Sequence, residues 1–266
     1  MDPLVLIPGI QGRWEWMAPA IVELARRSRV LTFSLNEVTD DRVFDRWVER
    51  VDRLIDATGQ PRATIVGVSF GGLIATRYAA RRPDRTSSLV LVSTPSPRCQ
   101  LDAKQESYIK RPLMTLPLFA ARATSRFVPE LLAGRTGWWS RLQFAAEHAG
   151  RAVRYPGSPP RMAAWVREWM ANDFVEDCRT ITAPTLLITG DRGLDRVVPP
   201  ESTMDYLALI PQARHVVLPN TGHLGLVMKP REFADLVHAF LEGGSPGAGP
   251  DVASLAQARL SEGRAG

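Results

Sequence analysis

The sequence predicts an α/β fold: a mainly parallel central sheet flanked by helices, with a helical cap inserted in its second half. Three observations predict it. Short apolar runs of strand length alternate with stretches whose apolar residues recur at helical spacing. That alternation stops after Pro95 and resumes at Thr185. In between, residues 97–178 carry helical stretches, four tryptophans and scattered prolines, with no strand–helix alternation.

Leu4–Ile7 is a continuous apolar run stopped by Pro8-Gly9, the pattern of a strand buried on both faces. Ile21, Leu24 and Ala25 follow at helical spacing, and Val30–Phe33 is the next strand. Val43, Phe44, Trp47, Val48, Val51, Leu54 and Ile55 form one i, i+3/i+4 stripe. Arg42, Asp45, Arg46, Glu49, Arg50, Asp52 and Arg53 make the solvated, ion-paired face of the same helix. Gly59-Gln60-Pro61 stops it. Ala63–Val68 is a strand, Gly71–Ala80 a helix closing at Arg82-Pro83, and Ser88–Val92 a strand. After the cap come a strand at Thr185–Thr189, a helix near Glu201–Leu209 and a strand near His215–Leu218. Pro230 suits the first turn of a final helix, Arg231–Leu241. From Gly243 the chain is rich in Gly, Pro, Ala and Ser. It is expected to be a flexible tail with a weak helix near Val252–Leu260. The expected organisation is a core of residues 1–96 and 179–242, a cap of 97–178 and a tail of 243–266.

Composition narrows the function classes. At 45% hydrophobic, the 266 residues can build a large core, which excludes wholesale disorder. The net charge of +5 raises the question of nucleic acid, but the basic residues are nearly all arginine and interleave with acids. No nucleic-acid motif accompanies them, so no nucleic-acid partner is expected. Cys99 and Cys178 form neither a disulfide framework nor a metal-ligand spacing. No run approaches the roughly 20 apolar residues of a membrane span, and the N-terminus does not read as a signal peptide. A soluble, cytoplasmic protein is the expectation.

In a parallel sheet, ligands gather at the carboxyl ends of the strands. The strand Ala63–Val68 runs into Gly67-Val68-Ser69-Phe70-Gly71-Gly72, which is G-x-S-x-G with a further Gly. A serine on a tight strand-to-helix turn is strained, and small residues two before and two after it avoid clashes with strand and helix. The turn exposes the hydroxyl at a helix N-terminus, where developing negative charge is favoured. In isolation the pattern fits a glycine-rich turn with an inert serine; here it sits in the strand–turn–helix context the motif requires.

With these residues in view, Leu4 to about Leu241 resembles the α/β-hydrolase fold family, a serine hydrolase with an inserted helical lid. The resemblance implies that Ser69 is the nucleophile, followed in chain order by an acid and a histidine. His223, in Asn220-Thr221-Gly222-His223 before the last helix, matches the family's histidine loop. His148, His215 and His238 read as structural or exposed. Asp191 and Asp195 are both candidates for the acid. The family often shows Asp, three residues, then Pro; Asp195 and Pro199 match that spacing, with Arg192-Gly193-Leu194 resembling an insertion. Asp195 is favoured, and Asp191 is read as stabilising the loop. The resemblance places one oxyanion-hole N–H on Phe70 and the other on Ile10. Family members usually carry His-Gly where this chain has Pro8-Gly9. A backbone donor survives that change, but the histidine that shapes the loop is lost. The antiparallel hairpin that often precedes this strand in the family is missing, so a trimmed, mainly parallel sheet is expected.

Trp138, Trp139, Trp165 and Trp169 cluster in the cap sequence with Phe119, Phe127 and Phe144, and Trp14 and Trp16 follow the oxyanion loop. Met162, Trp165, Val166, Trp169 and Met170 share one helix face, which either packs the cap on the core or lines an apolar pocket. Trp14, Trp138, Trp139, Trp165 and Trp169 are the pocket candidates. The implied activity is hydrolysis of a small hydrophobic carboxylic ester, thioester or lactone through an acyl-enzyme, without cofactor or metal. Carbon–carbon bond hydrolases and cofactor-free haloperoxidases share the scaffold. A non-catalytic ligand-binding relative is the alternative from another class.

Overall fold

Successive side chains of a strand point to opposite faces, so an uninterrupted apolar strand needs a helical layer on each side. The computed structural model describes residues 2–36 and 42–243, with the backbone alone over 116–124. The helix expected at Val252–Leu260 lies outside these residues. β1 (Leu4–Ile7), β2 (Val30–Thr32), β3 (Ala63–Val68), β4 (Thr86–Val92), β5 (Thr185–Thr189) and β6 (Ala213–Val217) form one sheet. Its order is β2-β1-β3-β4-β5-β6, and every neighbouring pair is parallel.

The helices are α1 (Ala18–Leu24), α2 (Val43–Asp56), α3 (Phe70–Arg81), α4 (Ala103–Lys110), α5 (Leu116–Gly134), α6 (Trp138–Arg154), α7 (Pro159–Met170), α8 (Phe174–Thr180), α9 (Pro200–Met204), α10 (Gly225–Met228) and α11 (Pro230–Leu241). Leu4, Leu6, Val66, Val68, Val90, Val92, Leu186 and Ile188 face α1, α10 and α11. Val5, Ile7, Ile65, Leu89, Leu91 and Leu187 face α2, α3 and α8. Full burial of each Leu, Ile or Val stabilises the fold by roughly 1.5–3 kcal/mol.

Five helices, α4 to α8, fill the stretch between β4 and β5. The last of them belongs to the layer flanking the sheet: Phe174 and Cys178 join the core beside α3. Arg77 of α3 is almost fully buried. It pairs with Asp177, donates to Asn172 Oδ1 (2.9 Å) and to the Asp173 carbonyl (3.3 Å), and lies 4.5 Å over the Phe174 ring. This knot returns the chain from α7 to β5.

Two helical elements after β5 depart from expectation. The helix expected at Glu201–Leu209 is α9 followed by a tighter 3₁₀ turn, Asp205–Ala208. That turn carries Tyr206 into the core, where its hydroxyl donates to the Pro95 carbonyl at 3.1 Å. Helix α10 follows the His223 loop, where no separate element was expected. Among the described residues, no helix is long and apolar enough to cross a membrane.

Candidate active site

Ser69 stands between β3 and α3 with φ 53° and ψ −124°. A non-glycine backbone held there stores roughly 1–3 kcal/mol. The turn is held on both sides: Ser69 N donates to the Val92 carbonyl and Gly72 N to the Ser69 carbonyl, each at 2.8 Å. Close approach explains the flanking glycines. A Cβ on Gly67 would stand 2.5 Å from Gly72 Cα, and one on Gly71 would stand 2.5 Å from the carbonyl oxygens of Ile7 and Pro8. The half-buried Ser69 is thereby presented at the carboxyl edge of the sheet, at the N-terminus of α3.

Phe70 opens α3, so its N–H has no carbonyl to bond one turn back in that helix. The loop after β1 crosses close by: a Cβ on Gly9 would stand 3.4 Å from Ser69 Cβ. Its turn is closed by Gly12 N donating to the Gly9 carbonyl at 2.8 Å, and Ile10 lies inside it. The start of α3, with Phe70, and the loop that carries Ile10 therefore meet at Ser69.

Asp195 follows β5 and His223 follows β6, at the same edge of the sheet. His223 Nδ1 lies 3.1 Å from Asp195 Oδ2, and the two side chains are 11% and 1% exposed. Asp195 Oδ1 accepts the backbone N–H groups of Val197 (3.0 Å) and Val198 (2.8 Å). Burial pushes the Asp195 carboxyl up, yet the facing imidazole and these hydrogen bonds outweigh it and hold its pKa below the ordinary value. Burial likewise disfavours the charged imidazole, but the Asp195 carboxylate outweighs it and raises the His223 pKa above 6.5. Asp191 does something else. Its Oδ2 accepts Asn220 N at 2.6 Å and its N–H donates to the Thr221 carbonyl at 2.8 Å, knitting the acid loop to the histidine loop. The structure thus joins Asp195 to His223. Among the described residues, Ser69 makes no hydrogen bond to that imidazole; such contacts commonly tighten only with substrate in place.

One residue escaped the sequence reading. Glu130 of α5 is fully buried, and its Oε1 accepts the N–H groups of Gly222 (2.7 Å) and Leu224 (2.8 Å), on either side of His223. The only signal in the sequence was an isolated acid in the apolar run Val128-Pro129-Glu130-Leu131-Leu132.

The aromatic candidates separate into two groups. Trp165 stacks on Phe70 (centroids 6.4 Å apart, planes at 20°), and Trp169 meets the same ring edge-on at 6.4 Å. Phe44 and Trp47 complete a buried aromatic layer beneath α7. Trp138 and Trp139 turn away from it. They open α6, meet each other at a tilt of 31° with centroids 3.6 Å apart, and are 61% and 67% exposed. Trp14 is also exposed, on the 3₁₀ turn Trp14–Met17. The apolar face of α6 that does turn inward holds Phe144, which stacks on His148. Phe119 falls where no side chains are described. His148 meets Trp16 edge-on, and burial pushes its pKa down to about 4, so it stays neutral. His215 bonds Thr189 Oγ1 (2.8 Å) and His238 bonds Ser28 Oγ (3.0 Å), so neither is near the Asp195–His223 pair by bonding.

A family model described as the alpha/beta hydrolase fold matches residues 2–230. The chain is 30% identical over 207 residues to 2-hydroxymuconate semialdehyde hydrolase of Pseudomonas putida, covering 74% of this chain and 68% of that one. It is 26% identical over 183 residues to pimeloyl-(acyl-carrier protein) methyl ester esterase of Nitrosomonas europaea, covering 67% and 71%. Among solved structures it resembles a bromoperoxidase from Bacillus anthracis, with a TM-score of 0.68, 25% identity and coverage of 91% and 92%.

Proposed function

The chain belongs to the α/β-hydrolase fold family, and from that premise we propose that it is a serine hydrolase cleaving a small hydrophobic carboxylic ester, thioester or lactone through an acyl-enzyme on Ser69. The observation that carries this reading is the buried Asp195–His223 hydrogen bond at the sheet edge that also presents the strained Ser69.

His223 Nε2 takes the Ser69 proton as Oγ attacks the substrate carbonyl carbon. The oxyanion that forms is received by the N–H groups of Phe70 and Ile10. Collapse of the tetrahedral intermediate breaks the bond to the alcohol or thiol, which leaves with the proton held by His223. Water then repeats the sequence on the acyl-enzyme and frees Ser69. Asp195 keeps the proton of the neutral imidazole on Nδ1 and stabilises the imidazolium.

Residues 97–178 serve as the cap over a core of residues 1–96 and 179–242, except that α8 joins the helical layer of the core. The Phe70–Trp165–Trp169 layer favours an apolar acyl or aromatic group over a charged one. Likeness to 2-hydroxymuconate semialdehyde hydrolase supports a second reading, hydrolysis of a carbon–carbon bond on the same scaffold.

A panel of aryl esters of graded chain length, thioesters, lactones and a ring-fission semialdehyde tests this with the native protein and Ser69→Ala. Turnover of apolar esters that disappears with Ser69→Ala supports the first reading. Turnover of the semialdehyde alone moves the second forward. Tight binding of an apolar ester with no turnover of any substrate would make the protein a ligand-binding relative.

A further inference from the structure

Glu130 is unusual in three ways together. It comes from the cap sequence, it is fully buried, and one of its oxygens gathers two backbone N–H groups that bracket His223. Its other oxygen, Oε2, is buried and has no hydrogen-bond partner among the described residues. Isolated burial of a carboxylate is costly, and an apolar residue of similar volume suits such a place better for stability alone. One turn later on the same face of α5, Gly134 lets the helix lie against the same loop. A Cβ there would stand 2.8 Å from the Asn220 carbonyl oxygen and 2.5 Å from Met228 Cε. Contacts with Asn220, Gly222, Leu224 and Met228 therefore run along one side of α5, and His223 sits in the middle of that segment.

We propose that Glu130 is a positioning residue that couples the cap to the catalytic histidine: by holding the backbone on both sides of His223, it keeps the imidazole aimed along its hydrogen bond to Asp195 only while α5 is docked. The inference rests on the reading of His223 as general base. Burial pushes the Glu130 pKa up to about 7, against the pull of the two N–H groups and His223. The hold must therefore survive loss of the charge, because a neutral carboxyl still offers a carbonyl oxygen to both donors.

Two variants separate this role from simple filling of space. Glu130→Gln keeps an oxygen for both N–H groups; Glu130→Met keeps the bulk and removes the acceptor. The readouts are the rate of Ser69 labelling by a fluorophosphonate, the imidazole ¹⁵N signals of His223, and amide exchange of the native protein. The labelling rate is expected to fall roughly 10- to 100-fold in Glu130→Met, the scale of a small misplacement of a reacting group, and to stay within about threefold of native in Glu130→Gln. The His223 signals should show one ring tautomer in native protein and Glu130→Gln and a mixture in Glu130→Met. In native protein the Gly222 and Leu224 amides should exchange together with those of α5, a readout that holds even if Glu130→Met fails to fold. Equal labelling and unchanged His223 signals in a folded Glu130→Met would overturn the inference while leaving the hydrolase reading intact. So would Gly222 and Leu224 amides that exchange freely while α5 stays protected. A native protein that is not labelled would overturn the hydrolase reading instead, with the tautomer and exchange results still judging Glu130.

Discussion

Replacing Asp195 by Asn keeps the shape of the side chain but removes its negative charge and turns one acceptor oxygen into an NH₂ donor, and the surrounding hydrogen bonds dictate which way the new amide must face. Oδ1 of Asp195 accepts two backbone N–H groups, from Val197 and Val198. An Asn that turned its NH₂ toward them would oppose donor to donor and leave both N–H groups unpaired. At about 1–3 kcal/mol for each unsatisfied buried group, that orientation is disfavoured by roughly 2–6 kcal/mol. The amide oxygen therefore stays at the Oδ1 position and the NH₂ is presented to His223 Nδ1. The imidazole must then accept at Nδ1 and carry its proton on Nε2, the atom that has to receive the proton of Ser69. The expected loss is about 10⁴ in kcat, or roughly 5.5 kcal/mol of transition-state stabilisation. Stability should change little, since both backbone hydrogen bonds persist. The assay is kcat on the best substrate of the panel, with Tm measured alongside. Asp191→Asn is the control, since its Oδ2 bonds the backbone of Asn220 rather than the imidazole. A loss below about tenfold in a folded Asp195→Asn protein, or a larger loss in Asp191→Asn, would refute the reasoning.

Three further outcomes follow from charges and burial. Because the Asp195 carboxylate raises the His223 pKa and the base must be neutral, kcat/KM should fall on the acid side with an apparent pKa above 6.5; a pH profile flat through pH 6 to 8 would contradict this. The Glu130 pKa is raised from 4.5 to about 7, so its contribution to stability is fully present below pH 4.5 and lost as the pH rises through about 7. Denaturant unfolding should accordingly find Glu130→Gln more stable than native by up to roughly 3 kcal/mol above pH 7, with the gap closing in acid. Arg77→Ala strands the carboxylate of Asp177 in the packed seam of α3 and α8. It should cost roughly 3–5 kcal/mol in the same assay, and a change below about 1 kcal/mol would show that the pair is not what closes the seam.

The parts legible in the sequence are those written in local pattern. Leu4–Ile7, Ala63–Val68 and Thr185–Thr189 are uninterrupted apolar runs because both faces of these strands are covered, and the structure gives them the same limits. The serine turn was legible because only glycine fits at 67 and 71. The spacing of Asp195 to Pro199 pointed to the aspartate that meets His223. What local pattern misses is decided by partners far along the chain. Nothing near Glu130 announces that its carboxylate will meet the backbone of a loop 92 residues later. Nor does the Trp138-Trp139 pair differ in composition from Trp165 and Trp169. The difference is that α7 lies against Phe70, whereas the first turn of α6 faces outward. The 3₁₀ turn at Asp205–Ala208 is likewise set by where Tyr206 must reach.

The most direct test of the central claim is the intact mass of native protein and Ser69→Ala after incubation with a fluorophosphonate probe, which needs no knowledge of the substrate. The account predicts a single adduct on the native protein and none on Ser69→Ala. A native protein that stays unmodified while folded, or an adduct that persists in Ser69→Ala, would contradict it.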